Sequence, residues 1–298
     1  MEVKEVKVSG ILNPTSIDIG EYVINPYRGC AYSCLYCYAR FNKVALKDPR
    51  AWGTYVDARI NAPQLLEREL AVKKPTKVLL GSTTECFQPC EADHEITKKV
   101  LEILINRKVF FSILSRSPGI LRYMDLLKSG YCDAVYFTVN SYPPRLKSLL
   151  EPYSPSFEAR AEAVNTLIKE KVRVIPYFSP VLPYISGLEN VFSIFPGSDR
   201  VEFEALNFSL GNIGEVMERV ERVYPELMPV YRRMLSDEGF YRDVWSEVKN
   251  TIMKEAAKEK KEHKIYTHRF NAYFVNTYSR VRPCREAEIT EASEKSEL

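Results

Sequence analysis

Asn25-Pro26-Tyr27-Arg28-Gly29-Cys30-Ala31-Tyr32-Ser33-Cys34-Leu35-Tyr36-Cys37-Tyr38 carries three cysteines in the spacing C-x3-C-x2-C. Three thiolates this close can hold three corners of a 4Fe–4S cluster, whose structural form takes four Cys ligands. A cubane held at three corners keeps one iron open to an outside ligand. A structural zinc site normally asks for four ligands in two pairs, and neither a second C-x2-C nor an H-x3-5-H follows here. A disulfide framework is disfavoured by the odd total of seven cysteines. It is also disfavoured by the opening Met1-Glu2-Val3-Lys4-Glu5, which lacks the apolar run of a secretory signal.

Outward from that stretch, short β-branched runs alternate with helix-like runs, the pattern of parallel βαβ units. The expected strands are Tyr22–Asn25, Lys77–Ser82, Val109–Leu114, Ala134–Asn140, Val172–Phe178 and Arg200–Leu206. Pro63–Val72, Asp93–Asn106, Pro118–Lys128 and Phe157–Lys169 read as amphipathic helices between them, with Glu189–Phe195 a short or irregular connection. Six strands in series predict an α/β fold, a partial (β/α)6 TIM-like barrel over residues 1–212. Residues 213–285 read as a mainly helical C-terminal cap (Ile213–Val223, Pro225–Leu235 and Tyr241–Lys261, then a β-like run Ala272–Thr277). Residues 286–298 read as an acidic, disordered tail. In such barrels the chemistry sits at the C-terminal strand ends. The Cys loop follows the first strand, and Ser82–Glu85, Ser115-Arg116, Thr138–Asn140 and Ser179 end later ones.

Composition bounds the class. The 298 residues are 45% hydrophobic and 27% charged with a net charge of +3, ordinary for a soluble globular protein and too balanced to argue for nucleic acid alone. No window reaches the ~18 apolar residues of a membrane span. Unpaired thiols predict a reducing cytoplasm. Only two glutamines, Gln64 and Gln88, beside abundant Lys and Glu fit a heat-adapted protein.

With Tyr36 just before the third Cys, the stretch resembles the C-x3-C-x-aromatic-C motif of radical S-adenosylmethionine (radical SAM) enzymes. Further stretches are similar to the spore photoproduct lyase family: Ser82–Glu85, Phe137–Ser141, Glu151-Pro152, Ser156-Phe157-Glu158 with Arg160, and Phe203-Glu204. The likeness runs over roughly residues 20–210. It implies a 4Fe–4S cluster on Cys30, Cys34 and Cys37, and S-adenosylmethionine (SAM) on the vacant iron. It further implies a 5′-deoxyadenosyl radical and a low-potential electron donor. Carried over by position, Ser82, Thr83, Thr84 and Glu85 fall where the family binds the methionine amino group. Arg116 falls where a basic residue pairs with the SAM carboxylate, a charge-assisted contact that suits Arg. Thr138 and Asn140 match the strand end at the ribose, and Tyr36 lies near the adenine. Arg160 reads equally as a SAM contact or a helix-surface or barrel salt bridge.

The lyase itself repairs a thymine dimer with a Cys hydrogen donor after the second strand and two tyrosines around the third cluster Cys. Both tyrosines, Tyr36 and Tyr38, are present, but Ser82 stands at about the place of the donor. Cys86 and Cys90 are therefore the alternative candidates for hydrogen donation, against the reading of buried apolar filler. A second cluster on Cys86, Cys90 and Cys284 is a further alternative. Arg28 and Arg40 flank the cluster loop and are candidates for keeping its thiols ionised. His94, His263 and His268 form no metal motif. Lys254–Arg269 reads as a solvated helix face or a phosphate-binding one. The substrate stays open between nucleic acid and peptide, and the rival class is a non-catalytic iron–sulfur electron carrier.

Overall fold

The computed structural model describes residues 1–209 and 211–270, together with the backbone of Arg285–Thr290. Two compact units divide the chain, Met1–Thr138 with Tyr153–Val174, and Val139–Pro152 with Ile175–Leu298.

The first unit contains β1 (Glu2–Val6), β2 (Leu12–Pro14), β3 (Tyr22–Ile24), β4 (Tyr27–Gly29), β5 (Tyr55–Arg59), β6 (Lys77–Leu80), β7 (Phe110–Ser115) and β8 (Cys132–Thr138). Strands β3, β6, β7 and β8 pair in that order and all run parallel, with β2 antiparallel on the outside of β3. Val78, Leu79 and Leu80 of β6 are all buried, as a parallel strand covered on both faces requires. Each such side chain taken from water contributes about 2 kcal/mol. Helices α1 (Ala62–Lys73), α2 (Glu91–His94), α3 (Ile96–Asn106) and α4 (Met124–Leu127) lie in the connections. Then come α5 (Pro144–Leu150), in the second unit, and α6 (Phe157–Lys169), in the first.

The single helix expected over 93–106 is broken at Glu95, whose φ of 48° is left-handed. The reason is buried Glu91, whose carboxylate accepts from Thr97 N and Lys98 N (3.0 Å each) and so caps α3 from outside the helix. Helix α6 follows its expected bounds because Ser156 Oγ accepts from Ala159 N at 3.2 Å. The helix expected over 118–128 is a 3₁₀ stretch, Pro118–Tyr123, followed by α4.

A second, three-stranded sheet of order β1-β5-β4 carries the start of the cysteine stretch on β4. Asp57 of β5 is buried beneath Arg28 and Arg50. Arg28 Nε donates to it at 2.7 Å and both Arg50 terminal nitrogens at 2.9 Å. Arg50 also holds Asp48 at 2.8 Å and lies 3.9 Å over the Tyr55 ring. Burial alone would raise the Asp57 carboxyl, but the two guanidinium groups outweigh it and hold it below the usual carboxylate range.

The second unit holds β9 (Val174–Val181), β10 (Arg200–Ala205), α7 (Ile213–Glu221), α8 (Met228–Ser236), α9 (Glu238–Glu259), β11 (Glu262–His268) and β12 (Arg285–Thr290). Strands β9, β10 and β11 are parallel and β12 is antiparallel to β11. Phe178 and Phe203 stack at 5.3 Å in its core. Here the structure corrects the sequence reading. Lys254–Arg269 is not one helix face but the end of α9 followed by β11, whose Ile265, Tyr266, Thr267 and His268 are buried. The charge run Lys258–Glu262 masked this strand, and its pairing with β10 ties residues 262–268 to the strands rather than to a cap beginning at 213. Residues 286–290, expected within the tail, instead form with Arg285 a strand paired antiparallel to β11. The expected run 272–277 and Cys284 lie outside the described residues. No helix among the described residues is long and apolar enough to cross a membrane.

Candidate active site

The cysteine loop leaves β4 through Gly29, whose φ of +79° and whose approach to Tyr55 exclude a side chain. A Cβ there would stand 2.3 Å from the Tyr55 carbonyl oxygen. Two tight turns follow, with Ser33 N donating to Cys30 O (3.3 Å) and Cys37 N to Cys34 O (3.2 Å). Cys34 is buried and Cys30 and Cys37 are half-buried. Burial, and then the neighbouring thiols, push Cys30 up to about 12, and burial chiefly pushes Cys37 up to about 11. Thiols in this setting keep their protons until a cation draws them off.

Among the described residues no group of three or more His, Cys, Asp or Glu could hold a single metal ion. A cubane asks each thiolate to bind a different iron, and a soft all-sulfur donor set on one loop, each thiol within electrostatic reach of the next, suits it.

Three segments are laced together around this loop. Gln88 is fully buried, accepting from Ala31 N at 2.9 Å and donating to Thr84 Oγ1 at 3.3 Å, while Thr84 donates to Gly29 O. Tyr32 OH donates to Ser117 Oγ (2.8 Å), which donates to Phe87 O (2.6 Å). Asn25 accepts from Thr83 N at 3.0 Å and donates to Ser82 Oγ at 3.3 Å, and Tyr38 OH donates to Ser82 O.

Glu85 is buried and turned inward, a correction to its expected contact with an amino group. Its Oε1 accepts from Ser115 Oγ (2.8 Å) and Phe87 N (3.0 Å), and its Oε2 from Arg116 N (2.8 Å). Burial raises its proton affinity against those bonds. Its effect is to set the backbone of Arg116, whose Nη1 reaches Cys34 Sγ at 3.1 Å and Tyr36 OH at 2.9 Å. Ser154 Oγ lies 3.3 Å from the same sulfur. Thus Arg116 lies within hydrogen-bond reach of both Tyr36 and Cys34, all three of which the resemblance assigned to one site. Thr138 is buried at the end of β8. Arg160 is wholly buried in α6, not on the helix surface.

Two candidate hydrogen donors are closed off. Cys86 is fully buried, its Sγ 3.2 Å from where a Cβ on Gly81 would stand, and Cys90 is buried at the start of α2. Burial raises Cys86 well above the ordinary thiol range and Cys90 to about 12. The loop polarity that suggested exposure belongs to the backbone, while both side chains fill the core.

In the second unit Asn140 departs from its expected ribose contact. Its Nδ2 donates to Ser179 O (2.7 Å) and Glu151 Oε1 (2.9 Å), and its Oδ1 accepts from Ser179 N (2.8 Å). This unit also gathers a cluster that the sequence reading did not assemble. Glu204 accepts from Tyr177 OH (2.6 Å) and Ser179 Oγ (2.8 Å), with His268 Nε2 3.6 Å away. Of the supporting residues, Asn25 had a signal, since it ends the strand beside β6. Gln88, Ser117 and Ser154 had none.

The family described as "Radical SAM superfamily" matches residues 24–189. A Methanocaldococcus jannaschii protein, MJ0683, is 32% identical over 255 residues, covering 85% of this chain and 94% of that protein. The Mycobacterium tuberculosis protein Rv2578c is 23% identical over 228 residues, covering 72% and 66%. Among solved structures, spore photoproduct lyase complexed with dinucleoside spore photoproduct superposes with a TM-score of 0.64 at 14% identity, covering 86% of this chain and 79% of that one. At that identity the likeness speaks for the fold, an α/β arrangement of parallel strands and helices of the partial TIM-like barrel kind.

Proposed function

The chain belongs to the radical SAM superfamily, whose enzymes use a 4Fe–4S cluster and SAM. From this premise we propose that it generates a 5′-deoxyadenosyl radical and abstracts hydrogen from an organic substrate. The observation that carries this is the guanidinium of Arg116, 3.1 Å from Cys34 Sγ and 2.9 Å from Tyr36 OH on the one loop that bears all three thiols. When bound, a reduced cluster would supply one electron to the sulfonium of SAM, whose C–S bond would break to give methionine and a 5′-deoxyadenosyl radical.

The protein's share is binding, orientation and exclusion of water. Cys30, Cys34 and Cys37 hold the cluster as thiolates. Arg116 offers a positive, forked donor for a carboxylate, steadied by Tyr36 and by Glu85 beneath its backbone. The Ser82–Thr84 turn, fixed by Asn25 and Gln88, presents backbone and hydroxyl groups for the methionine end. Thr138 and Tyr36 are the groups left for the nucleoside. Burial keeps the Cys30 and Cys37 thiols protonated until iron arrives, so loading releases protons.

The reading does not extend to thymine-dimer repair. Ser82 stands at about the donor's place and Cys86 is sealed, so thiol hydrogen return has no exposed candidate among Cys86 and Cys90. Nucleic-acid and peptide substrates fit equally.

Anaerobic reconstitution should load about four irons per chain. Under dithionite with SAM, 5′-deoxyadenosine should accumulate, measured by liquid chromatography and mass spectrometry. An intact cluster with bound SAM but no 5′-deoxyadenosine would sink the enzymatic reading and favour an electron carrier.

A further inference from the structure

Directly after Cys37 the chain makes two 3₁₀ turns, Tyr38–Phe41 and Ala45–Lys47. This short segment carries an unusual share of exposed apolar surface. Tyr38 is 43% exposed, Val44 51% and Leu46 56%, three of the ten large apolar side chains exposed among the described residues. Grouped exposed apolar residues on a soluble protein mark an interaction site more often than scattered ones do.

The same segment is positively charged at its surface. Lys43 and Lys47 are exposed beside Val44 and Leu46, and Arg40 is half-exposed. The nearest acid in sequence, Asp48, is turned under and held by Arg28 (3.2 Å) and Arg50 (2.8 Å), so it does not offset them at the surface. The whole chain carries only +3, so this charge is a local feature.

The platform is also fixed in place. Arg40 Nη1 donates to Leu35 O at 3.0 Å, inside the cysteine loop, and Asn42 Oδ1 accepts from Val44 N (3.0 Å) and Ala45 N (2.8 Å). Beneath, Arg50 and Arg28 clamp Asp48 and Asp57 against β5. A pre-ordered surface loses little freedom on binding, which suits a weak and brief partner.

Resting on the function proposed above, we propose that the segment from Tyr38 to Lys47 is the docking surface for an acidic electron-transfer protein that reduces the cluster. Charge complementarity selects an acidic partner, and exposed apolar and basic side chains side by side in one short segment supply both contact types of a small protein interface. Continuity with Cys37 puts an electron entering there beside a cluster ligand. A nucleic acid is the poorer occupant, because two exposed lysines around two aliphatic side chains meet few phosphates. Electron-transfer complexes are small, transient and salt-sensitive.

The test uses the full chain, reconstituted, with reduced flavodoxin as the probe and dithionite as a reductant that needs no docking. In stopped-flow at low salt, Lys43→Glu/Lys47→Glu should slow cluster bleaching by flavodoxin about tenfold and flatten its salt dependence. Val44→Ser/Leu46→Ser should slow it several-fold with the salt dependence kept. Both variants should bleach at the unaltered rate with dithionite and keep the native cluster spectrum. Unchanged flavodoxin rates in both variants would overturn the inference. So would variants that lose oligonucleotide binding or self-association while keeping flavodoxin reduction, since the surface would then belong to another partner. A wild-type cluster that dithionite cannot reduce would instead overturn the enzymatic reading, and this inference with it.

Discussion

The cysteine loop of the first unit and the Glu204 cluster of the second are both buried, polar and at strand ends, yet they are built in opposite ways. The loop is local: its three thiols fall within eight consecutive residues, Cys30 to Cys37, and neighbouring backbone bonds shape it. The Glu204 cluster draws Tyr177, Ser179, Glu204 and His268 from three strands, and no short motif contains it. Their chemistry differs accordingly. The loop presents soft sulfur donors, two of which, Cys30 and Cys37, burial keeps protonated, whereas in the other cluster a carboxylate accepts from two hydroxyls and faces an imidazole. A contiguous peptide is enough to gather the three thiols, while the Glu204 cluster exists only in the assembled sheet.

The largest test of this contrast removes a ligand. Replacing Cys30, Cys34 or Cys37 singly by Ala should abolish the reconstituted cluster's visible absorbance and cut 5′-deoxyadenosine formation by about three orders of magnitude. Retained absorbance in a single variant would break the three-ligand assignment. Next, Cys37 of the metal-free chain should be a slow nucleophile. With Cys37 near 11 against an ordinary thiol near 9, its ionised fraction at pH 8 is about a hundredfold lower. Its alkylation by iodoacetamide should be slower by that factor and rise about tenfold per pH unit up to pH 10. Peptide mapping after timed quenching reads this directly, and a rate like that of free cysteine would contradict the burial of the loop.

Smaller is the effect expected of Arg116→Lys, which keeps the charge and loses the fork. SAM affinity should weaken about tenfold by equilibrium dialysis on the cluster-loaded protein, with iron content unchanged. Undiminished affinity would separate Arg116 from the cofactor and leave it as a partner of Cys34 alone. The last test, on stability rather than cofactor binding, belongs to the second cluster. Glu204→Ala strands the Tyr177 and Ser179 hydroxyls and should lower unfolding stability by about 2–3 kcal/mol, with Glu204→Gln recovering most of it. Urea denaturation distinguishes the two. If Gln recovers stability but turnover stays reduced while SAM cleavage persists, the carboxylate acts in chemistry and not only in packing.

Much of this protein could be read before its structure. The Cys spacing was legible because cluster ligation on one loop is a short-range constraint. Most parallel strands were legible to within a few residues because both-face burial writes continuous apolar runs such as Val78–Leu80. Helix α6 was legible down to Ser156, since a cap is a local bond. Strand β11 was not, because lysines and glutamates precede it and its partner β10 lies about sixty residues earlier. Glu95 hid its helix break because the capping carboxylate comes from Glu91 across the turn.

By itself the sequence determined the spacing of the three thiols, most of the parallel strands and the place of the loop after the first of them, all consequences of spacing and periodicity. Only the tertiary structure decided which polar residues face a ligand and which face their neighbours. Glu85 and Asn140 look like contacts in one dimension, yet burial obliges their polar atoms to find partners inside the protein. Cys86 and Cys90 look reactive beside a polar turn, yet packing closes over them. Arg116 is set differently, because Glu85 holds its backbone and leaves its guanidinium pointing at Cys34.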